Sequence, residues 1–207
     1  MEFSAIAEGK GFDVVLGNPP WLMAGHYVSD SVPYFKDQFK TATGKFDLYH
    51  IFLEQAFRLL APDGVLGMIV PNKFFHTRAA KALRELLSQD VSLREIKDFG
   101  LEKVFERATN YSCIIIARCG SPPHRVDYQE VTASLETIDR YSFAMSRLTS
   151  KTWHFQEDAA IAVFERMREV GIPLESLVDR FATGVQSGAD KLLTFTKTEA
   201  EELGARI

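Results

Sequence analysis

The chain has 207 residues, room for one full domain and part of a second at about 100–200 residues per domain. Its 24 basic and 28 acidic side chains leave a formal net charge of −4, and 46% of the residues are hydrophobic. Those values exclude a disordered acidic tail, a collagen-like repeat and a basic nucleic-acid coat. No run approaches the roughly 18 apolar residues of a membrane span. Met1-Glu2-Phe3-Ser4 shows no basic region leading into an apolar stretch, so no secretory leader is expected. Cys113 and Cys119 fall in or beside one predicted strand, which would hold them about 20 Å apart. They read as reduced thiols of a cytoplasmic protein.

Taken in chain order, Phe12-Asp-Val-Val-Leu16 predicts a short buried strand, stopped by Gly17-Asn18-Pro19-Pro20 because neither proline can donate to a ladder. Residues 22–45 have no clear period and read as a long loop with room for one helical turn, a length that is usually functional or mobile. The clearest helix covers 47–60. Tyr49, Phe52, Leu53, Phe57 and Leu60 recur at helical spacing, with His50, Glu54 and Arg58 on the opposite face. Pro62-Asp63-Gly64 predicts a turn, and Val65 to Val70 a strand apolar on both faces. A second amphipathic helix carries Ala79, Leu83, Leu86 and Leu87, with Thr77 as its N-cap. Strands follow at 93–99 and 111–117, and an edge strand at 125–131. Residues 132–156 read as irregular. A helix at 157–170 presents Ala160, Val163, Phe164 and Met167 on one face. Helices alternating with buried strands predict an α/β fold with a parallel sheet.

The corner Gly17-Asn18-Pro19-Pro20-Trp21 lies where ligands bind in such sheets, outside the carboxyl end of a strand. The prolines stiffen the backbone, which fixes the Asn18 side-chain oxygen and the Pro19 carbonyl as two acceptors beside the flat indole of Trp21. Two acceptors and a plate suit a planar ring with an exocyclic amine. Accepting both N–H hydrogens favours pyramidalisation of the nitrogen and makes it a better nucleophile, a form of preorganised electrostatic stabilisation.

Phe12 through Trp21 resembles the catalytic motif of the DNA amino-methyltransferases in its adenine-specific form. Lys45-Phe46-Asp47-Leu48-Tyr49, Leu59 through Asn72, Val104-Phe105 with Thr109-Asn110-Tyr111-Ser112, and Gly184 through Lys191 are similar to further segments of that family. The nearest subgroup is the methylase polypeptides of type II restriction–modification systems with fused specificity. The resemblance implies the C-terminal half of a Rossmann-like S-adenosylmethionine-dependent methyltransferase sheet. It would span residues 1–132, with a helical linker at 133–173 and the start of a target-recognition domain at 174–207. It implies methylation of adenine in double-stranded DNA, with the base flipped out of the stack. Asn18, Pro19, Pro20 and Trp21 would be catalytic. Phe105 would face the base from the other side, with Tyr111 as the alternative. Asp47 and Tyr49 would line the cofactor pocket, the competing readings being a helix N-cap and a core residue.

Family members carry a glycine-rich loop after a first strand, upstream of the catalytic motif. Here only 17 residues precede Asn18, and Gly9-Lys10-Gly11 comes before a strand rather than after one. The expectation is therefore an inactive piece of a larger enzyme that lacks its N-terminal cofactor-binding half. The edge of strand 12–16 would be exposed and open to a dimer contact. The rival class is a non-catalytic module that binds DNA or another subunit and completes a site in trans. Cytosine is disfavoured because that group more often has Ser at the first motif position, and RNA or protein glutamine because of the recognition-like downstream segment. Lys73, Arg78, Lys81 and Arg84 form a basic run that reads as a solvated helix face or a phosphate contact. The five histidines show no metal spacing.

Overall fold

A computed structural model of the chain describes residues 11–105, 111–156 and 158–178. The chain divides into two compact units, residues 1–157 and 158–207. In the first, six strands form one mixed sheet in the order β1-β2-β4-β3-β5-β6. They are β1 Phe12–Gly17, β2 Leu60–Pro71, β3 Ser92–Asp98, β4 Ser112–Arg118, β5 Arg125–Val131 and β6 Thr137–Ala144. Strands β1 and β2 pair in parallel, as do β3 and β5. Strand β4 runs antiparallel between β2 and β3, and β6 antiparallel to β5. The fold is α/β, as expected, but the sheet is mixed rather than parallel. The difference lies in β4, which runs antiparallel to both of its neighbours; an apolar run in sequence reports a buried strand and not its direction.

Turn residues 62–64 sit inside β2 as an irregularity: Phe12 pairs with Leu60 and Val14 already with Val65. Gly64 is needed there, since a Cβ on it would lie 2.6 Å from the Phe12 carbonyl oxygen. Beyond the turn, Leu66, Met68 and Val70 are buried while Val65, Gly67 and Ile69 are half-buried. One face of β2 is thus packed and the other only partly covered, where the sequence predicted burial on both. Edge strand β1 leaves Val14 55% and Leu16 76% exposed. The expected uncovered apolar edge is present among the described residues. Strand β6 was read as irregular because only Phe143 along it is buried.

The packed face is covered by α3, Leu48–Leu59, and by a short helix α4, Lys81–Glu85, that continues into a π-turn at Leu86–Asp90. Tyr49, Leu53 and Phe57 of α3 join Leu66, Leu83, Leu87 and Ile115 in the main core. The segment read as a long loop is helical instead. It forms α1 Ala24–Tyr27, a 3-10 turn at Ser29–Ser31 and α2 Val32–Gln38. Ala24, Ala42, Phe46, Leu48 and Ile51 make a second small core beneath it. This cover widens the buried face of α3: Tyr49, Leu53, Phe57 and, just past its end, Leu60 are buried as expected, but His50 and Glu54 are buried too and Phe52 is 46% exposed. The Glu54 carboxylate accepts from the Lys40 and Thr41 backbone N–H groups, the Thr41 hydroxyl and Arg58, which fixes the end of the helical segment.

Burial holds the His50 imidazole down to a pKa of about 4; Asp47 opposes the shift and Lys73 and Arg84 reinforce it. The unfolded imidazole takes a proton near pH 6.5, whereas the folded one resists it. The stabilisation from neutral His50 is therefore complete above pH 6.5 and is lost as pH falls toward about 4. We expect this residue alone to cost up to about 3 kcal/mol of stability over that window. Urea unfolding at neutral and acid pH should show a smaller acid loss for His50→Leu than for the parent.

In the second unit, α5 spans Asp158–Val170. Val163, Phe164 and Met167 on it are exposed. Only residues 174–178 of the segment expected to open a recognition domain are described, and Gly184 through Lys191 lie outside the described residues.

Candidate active site

Strand β1 ends at Gly17, and the chain turns at once through Asn18, Pro19, Pro20 and Trp21. Asn18 is exposed, Pro19 buried, Pro20 and Trp21 half-buried. These four residues and Phe105 line an open hollow of about 310 Å³, at the lower end of small-molecule sites, roughly 300–1,000 Å³. The Trp21 ring packs on the main core, and its buried indole N–H has no acceptor. Such orphans concentrate where function overrides packing.

Phe105 stands across from Trp21 with ring centroids 5.4 Å apart and planes at 74°. A base stacked between parallel rings needs about 7 Å, twice the roughly 3.4 Å of a base step. The edge-to-face contact therefore closes the slot, and Phe105 has to swing aside to admit a planar ring. Tyr111 does not line the hollow, and Thr109 and Asn110 lie outside the described residues.

The wall beyond Trp21 is tied to the start of α3. Leu48 N–H donates to the Leu22 carbonyl at 2.8 Å, Ala24 N–H donates to the Phe46 carbonyl at 3.1 Å, and Met23 bridges Asp47. Asp47 occupies the N-cap position of α3 with no side-chain cap bond. Its carboxylate instead meets Lys73 Nζ at 2.8 Å. Tyr49 is wholly buried, and burial raises its phenol pKa well above the ordinary value. Its ring belongs to the core, the competing reading for that position, and its buried hydroxyl has no hydrogen-bond partner. The basic run is corrected in part: Arg78 and Lys81 are exposed as a solvated face would be, but Lys73 and Arg84 are not free. Lys73 is paired, and Arg84 is buried with carbonyl partners rather than solvated. Among the described residues no cluster of three or more His, Cys, Asp or Glu is placed to hold a metal.

The Eco57I restriction-modification methylase family model matches residues 1–105. The chain belongs to that family. It is 28% identical over 204 residues to the type II restriction enzyme and methyltransferase RM.Eco57I of Escherichia coli, covering 92% of this chain and 20% of the relative. It is 27% identical to the type II methyltransferase M.BstVI of Geobacillus stearothermophilus, covering 89% of this chain and 37% of that one. The chain thus spans about a fifth to under two fifths of these curated relatives. Among solved structures, the type IIG restriction endonuclease BpuSI superposes with a TM-score of 0.58 at 18% identity, over 95% of this chain and 28% of that one. That likeness is one of fold.

Sequence reasoning gave no role to Asn72, Asp98 and Tyr128, which the structure joins by hydrogen bonds from Asn72 and Tyr128 to the Asp98 carboxylate. Their only signal was position. Asn72 directly follows the proline that stops β2, and Asp98-Phe99-Gly100 ends β3 in a turn.

Proposed function

We propose that this chain carries the base-holding half of an adenine-specific DNA methyltransferase of a restriction–modification system. The hollow at the carboxyl end of β1, with Asn18, Pro19, Trp21 and Phe105 around it, is the observation that carries the reading. Asn18 Oδ1 and the Pro19 carbonyl accept the two amine hydrogens of a flipped adenine. Trp21 stacks on one face of the ring, and Phe105 moves to cover the other. Stacking is worth about 1–3 kcal/mol per base, enough to offset much of the few kcal/mol that flipping costs.

The methyl donor of this reading is S-adenosylmethionine, which supplies an electrophilic methyl group on sulfur. The described residues do not fit it by themselves. Tyr49 is buried in the core, Asp47 is paired to Lys73, and the hollow is lined by only five residues. No step is derived through it. The chain alone is expected to bind S-adenosylmethionine no more tightly than adenosine, whose moiety that donor carries, and to give no methylation of duplex DNA. Isothermal titration showing S-adenosylmethionine bound more than about tenfold more tightly than adenosine would contradict this and mean that the cofactor cradle is complete. The uncovered β1 edge favours one second reading, in which the chain supplies its half of the site in trans to another subunit.

A further inference from the structure

We propose that Asn72 and Lys73 hold the two aromatic walls of the hollow in register, with Asp98 and Tyr128 locking Asn72 in place. The inference rests on the base-pocket reading above. Lys73 reaches the Trp21 wall: its ammonium pairs with Asp47, which bridges Met23 two residues beyond Trp21. Asn72 reaches the Phe105 wall at both of its stems. Its side-chain Nδ2 donates to the Gly100 carbonyl at 3.3 Å, and its backbone N–H donates to the Tyr111 carbonyl at 3.0 Å. In sequence, Phe105 lies between Gly100 and Tyr111. One dipeptide, just past the end of β2, therefore spans both sides of the site.

Asp98 explains why Asn72 points the right way. Its carboxylate is buried, a costly state unless fully bonded. Oδ1 accepts from Asn72 Nδ2 at 2.9 Å and from the Gly100 N–H at 3.1 Å, and Oδ2 accepts from the Tyr128 hydroxyl at 2.9 Å. None of these three donors is a cation, so the network is directional rather than merely charge-neutralising. Gly100 takes a left-handed conformation, φ +57°, that turns the chain away from β3 toward Phe105. Glu102 ties the segment further by accepting from the Ala133 N–H at 2.6 Å. These are positioning residues: none lines the hollow.

The chain has two tryptophans, Trp21 and Trp153. Labelled with 5-fluorotryptophan, it gives one fluorine resonance at the site and one in the core, where Trp153 is buried. Phe105→Ala fixes the direction in which the Trp21 resonance moves when the ring contact is lost. Asn72→Leu is expected to move it the same way while the Trp153 resonance stays in place, and to weaken adenosine binding by about tenfold. If Asn72→Leu does not fold, Tyr128→Phe, which removes one hydroxyl, is expected to give a smaller shift of the same sign. A Trp21 resonance that stays put in the folded variant, or that moves only together with Trp153, overturns the inference. Adenosine leaving the Trp21 resonance of the parent chain untouched while Asn72→Leu still shifts it would sink the base-pocket reading and leave the positioning role standing.

Discussion

Arg84→Leu is expected to lower the stability of the chain by about 4 kcal/mol, a large share of the roughly 5–15 kcal/mol of a typical domain. Arg84 is 3% exposed, and no carboxylate is among the four hydrogen-bond partners of its guanidinium. Nε donates to the Ser150 and Lys151 carbonyls at 3.2 and 2.8 Å, and one terminal nitrogen donates to the Phe74 and Thr77 carbonyls at 2.6 and 2.8 Å. The fork thus staples residues 150–151 onto the turn after β2. Beside it, Trp153 donates its backbone N–H to Phe75 and its indole N–H to Thr149. Hydrogen bonds from a charged donor contribute about 1.5–3 kcal/mol each, and desolvation of the cation offsets part of that sum. Leucine would fill some of the volume but leave four carbonyls without this donor. Arg84→Lys should lose most of the same energy, because an ammonium on a flexible stem cannot reproduce the planar fork. Urea unfolding at unchanged m-value measures the loss. A change below about 1 kcal/mol would mean that water or neighbouring donors replace the guanidinium.

Asn18→Ala is expected to abolish the preference of the site for an amino-bearing base. With the Asn18 oxygen gone, only the Pro19 carbonyl remains as an acceptor for two amine hydrogens. A donor left unpaired in a dry site costs about 1–3 kcal/mol, so adenosine affinity should fall about 10- to 100-fold. Purine riboside, which lacks the amine, should bind the variant and the parent alike. Trp21→Ala should instead weaken both nucleosides together, since stacking does not depend on the amine. Calorimetric titration of the two nucleosides against the three proteins separates these effects. Equal losses for both nucleosides in Asn18→Ala would assign Asn18 to the shape of the corner rather than to the amine.

The corner itself was legible because its residues act locally. A strand ending in Asn-Pro-Pro-Trp fixes its own backbone, so the order of residues carries the geometry. The helix at 47–60 was equally readable, and so was most of its inward face, Tyr49, Leu53, Phe57 and Leu60, but the burial of His50 and Glu54 was not. Whether His50 and Glu54 meet solvent depends on residues 22–46, whose own folding around Phe46 and Ala42 has no simple period. Arg84 was unreadable for a similar reason: its partners are backbone carbonyls at 74, 77, 150 and 151, which leave no trace in side-chain identity. The antiparallel placement of β4 was not readable, because the apolar run of Ile114, Ile115 and Ile116 reports a buried strand and not its direction. Phe105 could be named from the resemblance, but its edge-to-face closure of the slot needed the coordinates.

The most direct test is a fluorine-detected titration of the 5-fluorotryptophan-labelled chain with adenosine and, separately, with purine riboside. The account predicts that adenosine shifts the Trp21 resonance saturably, binds at least about tenfold more tightly than purine riboside, and leaves the Trp153 resonance unmoved. Equal affinity for the two nucleosides, or a Trp21 resonance indifferent to both, would contradict it.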